Sequence, residues 1–190
     1  MDSIAAIIRK RVSCRKFNDQ TPTRETIDNL IQTAVWAPSG SNNQPWRFVV
    51  ITDKAKLKAY SDAAKQGWLK NFENATYIQQ YEKWLKNPAY NIFYNAPALI
   101  VIYGDSSSYW HAYDCSMVAQ NINLLAEEAG LGCCWIGLAH NVLAEPAVKQ
   151  ELGIPEQYNL VAPLIVGYPA AKKDITENPI KRNPFEINYL

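Results

Sequence analysis

Residues 97–137 read PALIVIYGDSSSYWHAYDCSMVAQNINLLAEEAGLGCCWIG, and their pattern decides the fold of the chain. The apolar run at 97–103 has the length of a buried strand. Residues 109–129 follow as a long, mostly apolar helix that Gly130 can end, and residues 132–137 return as a strand and a turn. A strand, a helix and a second strand in this order predict a layered α/β or α+β domain.

Further elements predicted on both sides of this stretch keep the alternation of helices and strands. They are helices at 3–11, 21–38 and 143–152, and strands at 46–52 and 160–166. Thr21-Pro22 is expected to open the second of these helices and Pro38 to stop it. Residues 170–190 show little periodicity and are expected to form an extended tail of a single domain that spans residues 1–190.

Composition excludes several classes of protein. With 48% hydrophobic and 19% charged residues the chain is not a disordered one, and its net charge of +1 gives no global attraction to nucleic acid or to an anionic membrane. The longest apolar runs are far shorter than the roughly 20 residues that span a bilayer. Because the chain start also lacks the basic residues of a signal peptide, we expect a cytoplasmic protein.

The four cysteines suggest neither a disulfide framework nor a metal site. They contain no Cys-x-x-Cys pair, and the two histidines, His111 and His140, lie far apart in the sequence. The adjacent pair Cys133-Cys134 could be a redox couple, but neighbouring side chains of a strand point to opposite faces. The pattern favours small buried thiols.

Residues 54–95 are expected to be helical and are rich in large aromatic side chains: Trp68, Phe72, Tyr77, Tyr81 and Trp84. Rings at helical spacing are usual in a hydrophobic core. They also suit a cap over a ligand pocket, here within residues 65–95. The sequence leaves both interpretations open.

No familiar catalytic motif is present. The chain has no P-loop, no Gly-x-Gly-x-x-Gly, no Gly-x-Ser-x-Gly and no His-Glu-x-x-His. With two histidines and much aromatic surface, it is a candidate for chemistry that a bound organic cofactor carries. No side chain is then expected to act as the catalytic nucleophile or base.

Two polar segments fit such a cofactor. In Arg11-x-Ser13-x-Arg15 an extended chain places two guanidinium groups and a hydroxyl on one face, which is a donor set for a phosphate monoester. The loop Pro38-Ser-Gly-Ser-Asn-Asn-Gln-Pro45 offers amides and hydroxyls to the edge of a planar heterocycle. Solvated surface and an ordinary turn are the structural alternatives.

Together these segments resemble the nitroreductase family of flavin-dependent oxidoreductases. The resemblance rests on the order and spacing of the two segments just described and of Gly130-Leu-Gly-Cys-Cys-Trp-Ile-Gly137, Val166-Gly-Tyr-Pro169 and Lys181-Arg182. It implies an α+β fold in which helices flank a mixed central sheet, and an intertwined homodimer with FMN at the subunit interface. It further implies that hydride passes from NADH or NADPH through flavin N5 to an electron-poor acceptor, such as a nitroaromatic or a quinone, in a ping-pong order.

The resemblance also assigns residues, by motif. Arg11, Ser13 and Arg15 match the phosphate-binding motif, which Lys181 and Arg182 of the tail would complete. The loop expected to reach the flavin, largely from the partner subunit, contains Pro38, Ser39, Ser41, Asn43 and Gln44. The segment expected to pass the flavin ring, with a backbone N–H near N5, is Trp135, Ile136 and Gly137. The family often has an acidic residue near this last segment, and this chain does not.

Two other functions share these residues. A flavin-binding or redox-sensing protein without efficient turnover would need the same cofactor contacts. Family variants reduce enones or remove halogens from aromatic rings on the same scaffold. The aromatic residues of the middle region are the candidates for acceptor choice, because function resides in site details rather than in the fold.

Overall fold

The computed structural model describes residues 2–70, 72–171 and 182–190. The helices are α1 (Ile4–Lys10), α2 (Arg24–Ala34), α3 (Lys54–Lys70), α4 (Thr76–Gln79), α5 (Glu82–Leu85), α6 (His111–Glu128), α7 (His140–Leu143) and α8 (Pro146–Glu151). The strands are β1 (Trp46–Ile51), β2 (Ala98–Asp105), β3 (Gly132–Trp135) and β4 (Tyr158–Gly167). Short 3₁₀ turns lie at Gly40–Asn42, Phe72–Asn74 and Gly137–Ala139. No helix in these ranges is both long enough and apolar enough to cross a membrane.

The four strands form one sheet in the order β1-β2-β4-β3, and each neighbouring pair is antiparallel. The α+β class is as expected, but the described sheet is antiparallel rather than mixed. The reason lies in β4: β2 and β3 run parallel to each other, joined by α6, and β4 inserts between them with the opposite direction. The parallel contact that the described residues do show is an isolated bridge between Ser13 and Cys133.

Both faces of the sheet are covered, so the core has two halves. In β2 the side chains of Leu99, Val101 and Tyr103 pack on the side of α3 and α7, while Ile100 and Ile102 pack on the side of α2 and α6. This is the period-two alternation of a strand. Because each face meets a helix layer, all five side chains are buried and the strand has the continuous apolar run seen in the sequence.

The helix ends follow capping chemistry rather than proline positions. Thr23, not Thr21-Pro22, caps α2, because its side chain accepts a hydrogen bond from the Thr26 N–H at 3.1 Å. The helix ends at Ala34, four residues before Pro38. Gly130 ends α6 as expected, with a φ of 72°.

The middle region is less helical than its composition suggests. Helix α3 ends at Lys70, and only the short helices α4 and α5 follow before β2. Residues 86–97 are irregular, and the φ angles of Tyr94 and Asn95 are both 54°. The expectation of helix throughout 54–95 is therefore wrong after residue 70.

Candidate active site

A cavity of about 550 Å³ lies where the chain leaves β3, and its volume is in the range of small-molecule sites. It is lined by Arg15, Trp68, Tyr77, Ile78, Tyr81, Tyr90, Ile92, Tyr94, Trp135, Ile136, Gly137, Leu138 and His140. Six of these are Trp or Tyr, and Arg15 is the one Arg or Lys among them. The cavity therefore combines flat aromatic walls with the polar groups of four tyrosines, Arg15 and His140.

Pro163 determines where β3 ends. The Ile136 N–H donates to the Pro163 carbonyl at 2.9 Å, but proline has no N–H to return the bond. The ladder stops there, and the Ile136 carbonyl accepts instead from the Ala139 N–H at 3.1 Å, within the 3₁₀ turn. The N–H groups of Gly137 and Leu138 begin this turn and have no backbone acceptor among the described residues. Gly137 and Leu138 both line the cavity, so two lining residues carry a backbone donor without a backbone partner.

Arg15 reaches the same cavity from the segment beside β3. The Cys14 N–H donates to the Cys133 carbonyl at 3.0 Å, and the Cys14 side chain packs against Gly132. Ser13 and Arg15, on either side of Cys14, are exposed, whereas Arg11 is half-buried. The Arg15 guanidinium carbon lies 5.8 Å from the ring centroid of Tyr94. Arg11 and Ser13 do not line the cavity.

The aromatic segment divides between wall and surface. Trp68 is fixed, because its Nε1–H donates to the Leu138 carbonyl at 2.8 Å and its ring meets Tyr77 edge-on at 5.9 Å. Tyr77 and Tyr81 also line the cavity. Phe72 and Trp84 do not, although Trp84 lies 5.6 Å from the Tyr81 ring. Trp68, Tyr77 and Tyr81 therefore form part of the cavity wall. This differs from both expectations, a hydrophobic core and a cap over the pocket.

Tyr90 and Tyr94 are lining residues that the sequence did not single out. The Tyr90 hydroxyl donates to the Tyr94 hydroxyl at 3.1 Å, and burial is the main cause that raises the pKa of Tyr90. Their spacing of four residues would place them on one helix face, but the backbone is not helical here. A helical pattern would pair the two residues by spacing, but it could not show that an irregular loop brings both to this cavity.

The loop at residues 38–44 lies elsewhere in the chain. The Gly40 N–H donates to Asp114 Oδ1 at 3.2 Å, and a Cβ at Gly40 would lie 2.6 Å from Trp110 Cδ1, so the loop packs on the start of α6. The Asp114 Oδ2 atom is buried and has no hydrogen-bond partner in the part of the chain that the structure describes. None of the residues predicted from this loop lines the cavity within one chain; these are Pro38, Ser39, Ser41, Asn43 and Gln44.

The backbone of this loop is strained. Ser41, Asn42 and Gln44 all have φ near +50°, at 50°, 55° and 47°. Such conformations cost roughly 1–3 kcal/mol each and cluster at ligand sites. In the tail, Arg182 is exposed and does not line the cavity, and Lys181 lies outside the described residues.

Comparison with known proteins agrees with this geometry. The Nitroreductase family profile matches residues 8–168, and the chain therefore belongs to the nitroreductase family. A protein of Archaeoglobus fulgidus named NADH dehydrogenase/NAD(P)H nitroreductase is 30% identical, over 99% of this chain and 98% of its own. An iodotyrosine deiodinase of Thermotoga neapolitana is 23% identical, over 100% of this chain and 98% of its own.

The fold is shared with solved structures. A nitroreductase with bound FMN from Desulfitobacterium hafniense superimposes with a TM-score of 0.80 and 26% identity, over 100% of this chain and 99% of that one. The resemblance predicted from sequence is confirmed at the level of family and fold.

Proposed function

We propose that the chain is an FMN-dependent oxidoreductase that passes hydride from NADH or NADPH to an electron-poor acceptor, such as a nitroaromatic or a quinone. One observation carries the proposal: Arg15, Trp68, Trp135, Gly137 and Leu138 line one cavity, and the N–H groups of Gly137 and Leu138 have no backbone acceptor among the described residues. Membership of the nitroreductase family supports it. When bound, FMN supplies the hydride transfer.

The donor set fits the cofactor. A flavin ring has two flat faces and an edge of carbonyl oxygens and nitrogens, which match aromatic walls and unpaired backbone N–H groups. The guanidinium of Arg15 would stabilise negative charge on the reduced ring by a preorganised field. Arg11 and Ser13, earlier on the same segment, would hold the phosphate by charge-assisted hydrogen bonds.

We propose a homodimer in which the partner's loop at residues 38–44 completes the cavity. Trp110, Tyr113 and Met117 form an exposed apolar row on α6, with Tyr109 beside them, and the loop packs against Trp110. The tail carries further exposed apolar side chains: Phe185, Ile187, Tyr189 and Leu190. A second copy would cover these surfaces and supply the loop that one chain keeps away from its own cavity.

Donor and acceptor would share the cavity and therefore bind in turn, which is a ping-pong order. The residues of this chain would orient the rings and exclude water, and no side chain is needed as a nucleophile. The four cysteines are free thiols, which suits the reducing cytoplasm, where we place the protein.

The decisive experiment is spectroscopic. The purified protein should show the absorbance of bound flavin, which NADH or NADPH bleaches without oxygen and which a nitroarene or a quinone restores. Parallel lines in a double-reciprocal plot would establish the ping-pong order. Flavin that neither nicotinamide reduces would instead indicate a binding or sensing protein, and restoration by an iodophenol alone would indicate the dehalogenating variant.

The assignment of Arg11 to the FMN phosphate and of Arg15 to the flavin ring makes a first mutational prediction. The Arg11→Ala, Arg15→Ala double variant should lose a few hundredfold or more in FMN affinity, because each charged hydrogen bond contributes roughly 1.5–3 kcal/mol. Titration of the apoprotein with FMN, followed by fluorescence quenching, measures it. The matched control, Arg9→Ala with Arg24→Ala, removes the same charge from exposed positions on α1 and α2. An equal loss in both double variants would contradict the assignment.

A further inference from the structure

We propose that Tyr94 is a specificity-determining residue whose hydroxyl donates a hydrogen bond to an oxygen of the acceptor, and that the site therefore selects acceptors whose reducible group carries oxygen. Nitro groups and the carbonyls of quinones and enones belong to this class. The proposal rests on the function proposed above. It follows from how residues 87–95 are held and from where the proton of Tyr94 is left.

The first observation is that a buried lysine of α3 anchors residues 87–90. Lys65 of α3 is 6% exposed, and its Nζ donates to the carbonyls of Asn87, Pro88 and Tyr90 at 3.3, 3.5 and 2.7 Å. Burying an ammonium group is unfavourable unless acceptors surround it. Here three of its acceptors are consecutive or nearly consecutive carbonyls of one loop, so the lysine fixes the path of that loop beside the cavity.

The second observation is the other end of the same loop. Ser61, also on α3 and fully buried, accepts a hydrogen bond from the Ile92 N–H at 3.0 Å. The Asn91 side chain accepts from the Phe93 N–H at 2.8 Å and donates to Asn95 Oδ1 at 3.1 Å. Helix α3 thus anchors the loop at two points, and the Asn91 side chain braces its last residues.

These anchors hold a strained backbone. A tyrosine with φ of 54° is unusual, because the left-handed region places Cβ against the following carbonyl, and Asn95 has the same φ. Strain of this kind persists only where the surroundings over-determine it, and it clusters at ligand sites. The consequence here is that both Tyr90 and Tyr94 line the cavity.

The hydrogen bonding of the pair leaves one proton unused. The Tyr90 hydroxyl donates to Tyr94 Oη at 3.1 Å, so the Tyr94 hydroxyl is the acceptor and retains its own proton for donation. Among the described residues no group accepts that proton. A nitro or carbonyl oxygen is a good acceptor for it, whereas a halogen bound to carbon is a poor one. The pair therefore favours oxygen-bearing acceptors over halogenated rings.

The test compares two acceptors on the FMN-loaded enzyme reduced by NADH. With Tyr94→Phe, reoxidation by 1,4-benzoquinone should fall about threefold to tenfold in kcat/KM, as for one lost neutral hydrogen bond. Reoxidation by N-methylphenazinium, a planar acceptor without oxygen, should stay unchanged. Tyr158→Phe is the matched control, since it removes the same hydroxyl from a tyrosine of β4 that does not line the cavity.

Two further measurements keep the result interpretable. Calorimetry with benzamide, a planar carbonyl compound that is not reduced, should show the same threefold to tenfold loss in affinity for Tyr94→Phe and none for Tyr158→Phe. Tyr90→Phe keeps the Tyr94 hydroxyl but removes the hydrogen bond that orients it. This variant should lose less kcat/KM with benzoquinone than Tyr94→Phe does, and none with N-methylphenazinium. Equal slowing with both acceptors, or unchanged benzoquinone kinetics and benzamide affinity, would overturn the proposal. Failure of wild-type flavin reduction by NADH or NADPH would instead overturn the proposed function, and benzamide binding would still test Tyr94.

Discussion

At Gly137 a methyl group built on the backbone would meet no heavy atom of the described residues within 4 Å, apart from its two chain neighbours, and the φ of Gly137 is outside the left-handed region. Gly40 and Gly132, in contrast, are closely packed. A Cβ at Gly40 would lie 2.6 Å from Trp110, and one at Gly132 would collide with Cys14, so packing requires glycine there. The fold of the described residues therefore does not require glycine at position 137. A ligand that lies against the backbone here would require it, because a side chain would occupy the ligand's space.

Substitution of this residue separates folding from binding. We expect Gly137→Ala to leave the stability of the apoprotein within about 1 kcal/mol of wild type or to raise it, because alanine restricts the unfolded chain. FMN affinity should fall at least about tenfold, the effect of some 1.4 kcal/mol, as the methyl group displaces the flavin ring from the free N–H groups. Thermal unfolding of the apoprotein and FMN titration measure the two effects.

Gly130→Ala is the control with the opposite expectation. Gly130 also has open space around it, but its φ of 72° is unfavourable for alanine. Stability should fall by about 1–2 kcal/mol while FMN affinity stays unchanged. Unchanged FMN affinity in Gly137→Ala would contradict the placement of the flavin at this backbone.

Residue-scale reasoning from the sequence succeeded where side chains alternate. Cys133 packs on the side of α6 and Cys134 on the side of α3, as neighbours in a strand should. Both are buried, and burial is the main cause that raises the pKa of Cys133. These thiols are therefore core residues. The same reasoning could not find Tyr94, because its loop is anchored by Lys65 and Ser61 of α3, which lie far from it in the sequence.

Among the elements, α3 is a support for the cavity. Besides Lys65 and Ser61 on the Tyr90 side, its Ala64 carbonyl accepts from Asn141 Nδ2 at 2.9 Å and Trp68 donates to Leu138. The segment 76–85 has only two four-residue helices, and its Tyr77 and Trp84 are 62% and 50% exposed. The candidate cap therefore consists of a fixed part and a lightly held part.

The rate of amide hydrogen exchange should differ between the two parts. We expect amides of residues 76–85 to exchange faster than those of α3, because lids come from the least stable segments, and a bound benzamide should slow them. Trp68→Phe should destabilise the protein by about 1 kcal/mol through the loss of the bond to Leu138, and Trp84→Phe by less than about 0.5 kcal/mol. Urea unfolding measures both. Equally slow exchange in both parts would refute a mobile segment.

The elements show which parts of a fold the sequence can predict. The core strands and α6 were predicted within a few residues, since each satisfies its own period along the chain. The end of β3 was not, because it depends on Pro163, a residue of β4 almost thirty positions later that faces Ile136 only in the folded sheet. The path of residues 87–90 likewise depends on a residue outside that segment, because Lys65 of α3 donates to the carbonyls of Asn87 and Tyr90.

At the scale of the whole molecule, two halves of the candidate site lie apart. The cavity holds Arg15 and residues 135–137, whereas the loop at 38–44 packs on Trp110 at the start of α6. Both were predicted for one flavin site, from motifs that are separate in the sequence. The homodimer that we propose would reconcile them, because a second copy would bring its own loop to the cavity across the apolar row on α6.

Tyr113 allows a direct test, because it stands on that row and is 66% exposed. Tyr113→Glu should shift the protein from dimer to monomer in sedimentation and reduce its FMN content, since a charge buried in an apolar interface is unfavourable and the partner's loop departs with the dimer. Tyr77→Glu places the same charge at a residue of similar exposure away from the row, and should leave sedimentation unchanged. A Tyr113→Glu protein that remains a dimer would place the subunit interface elsewhere. A monomer that keeps its full flavin content would show that the loop at 38–44 is not part of the site.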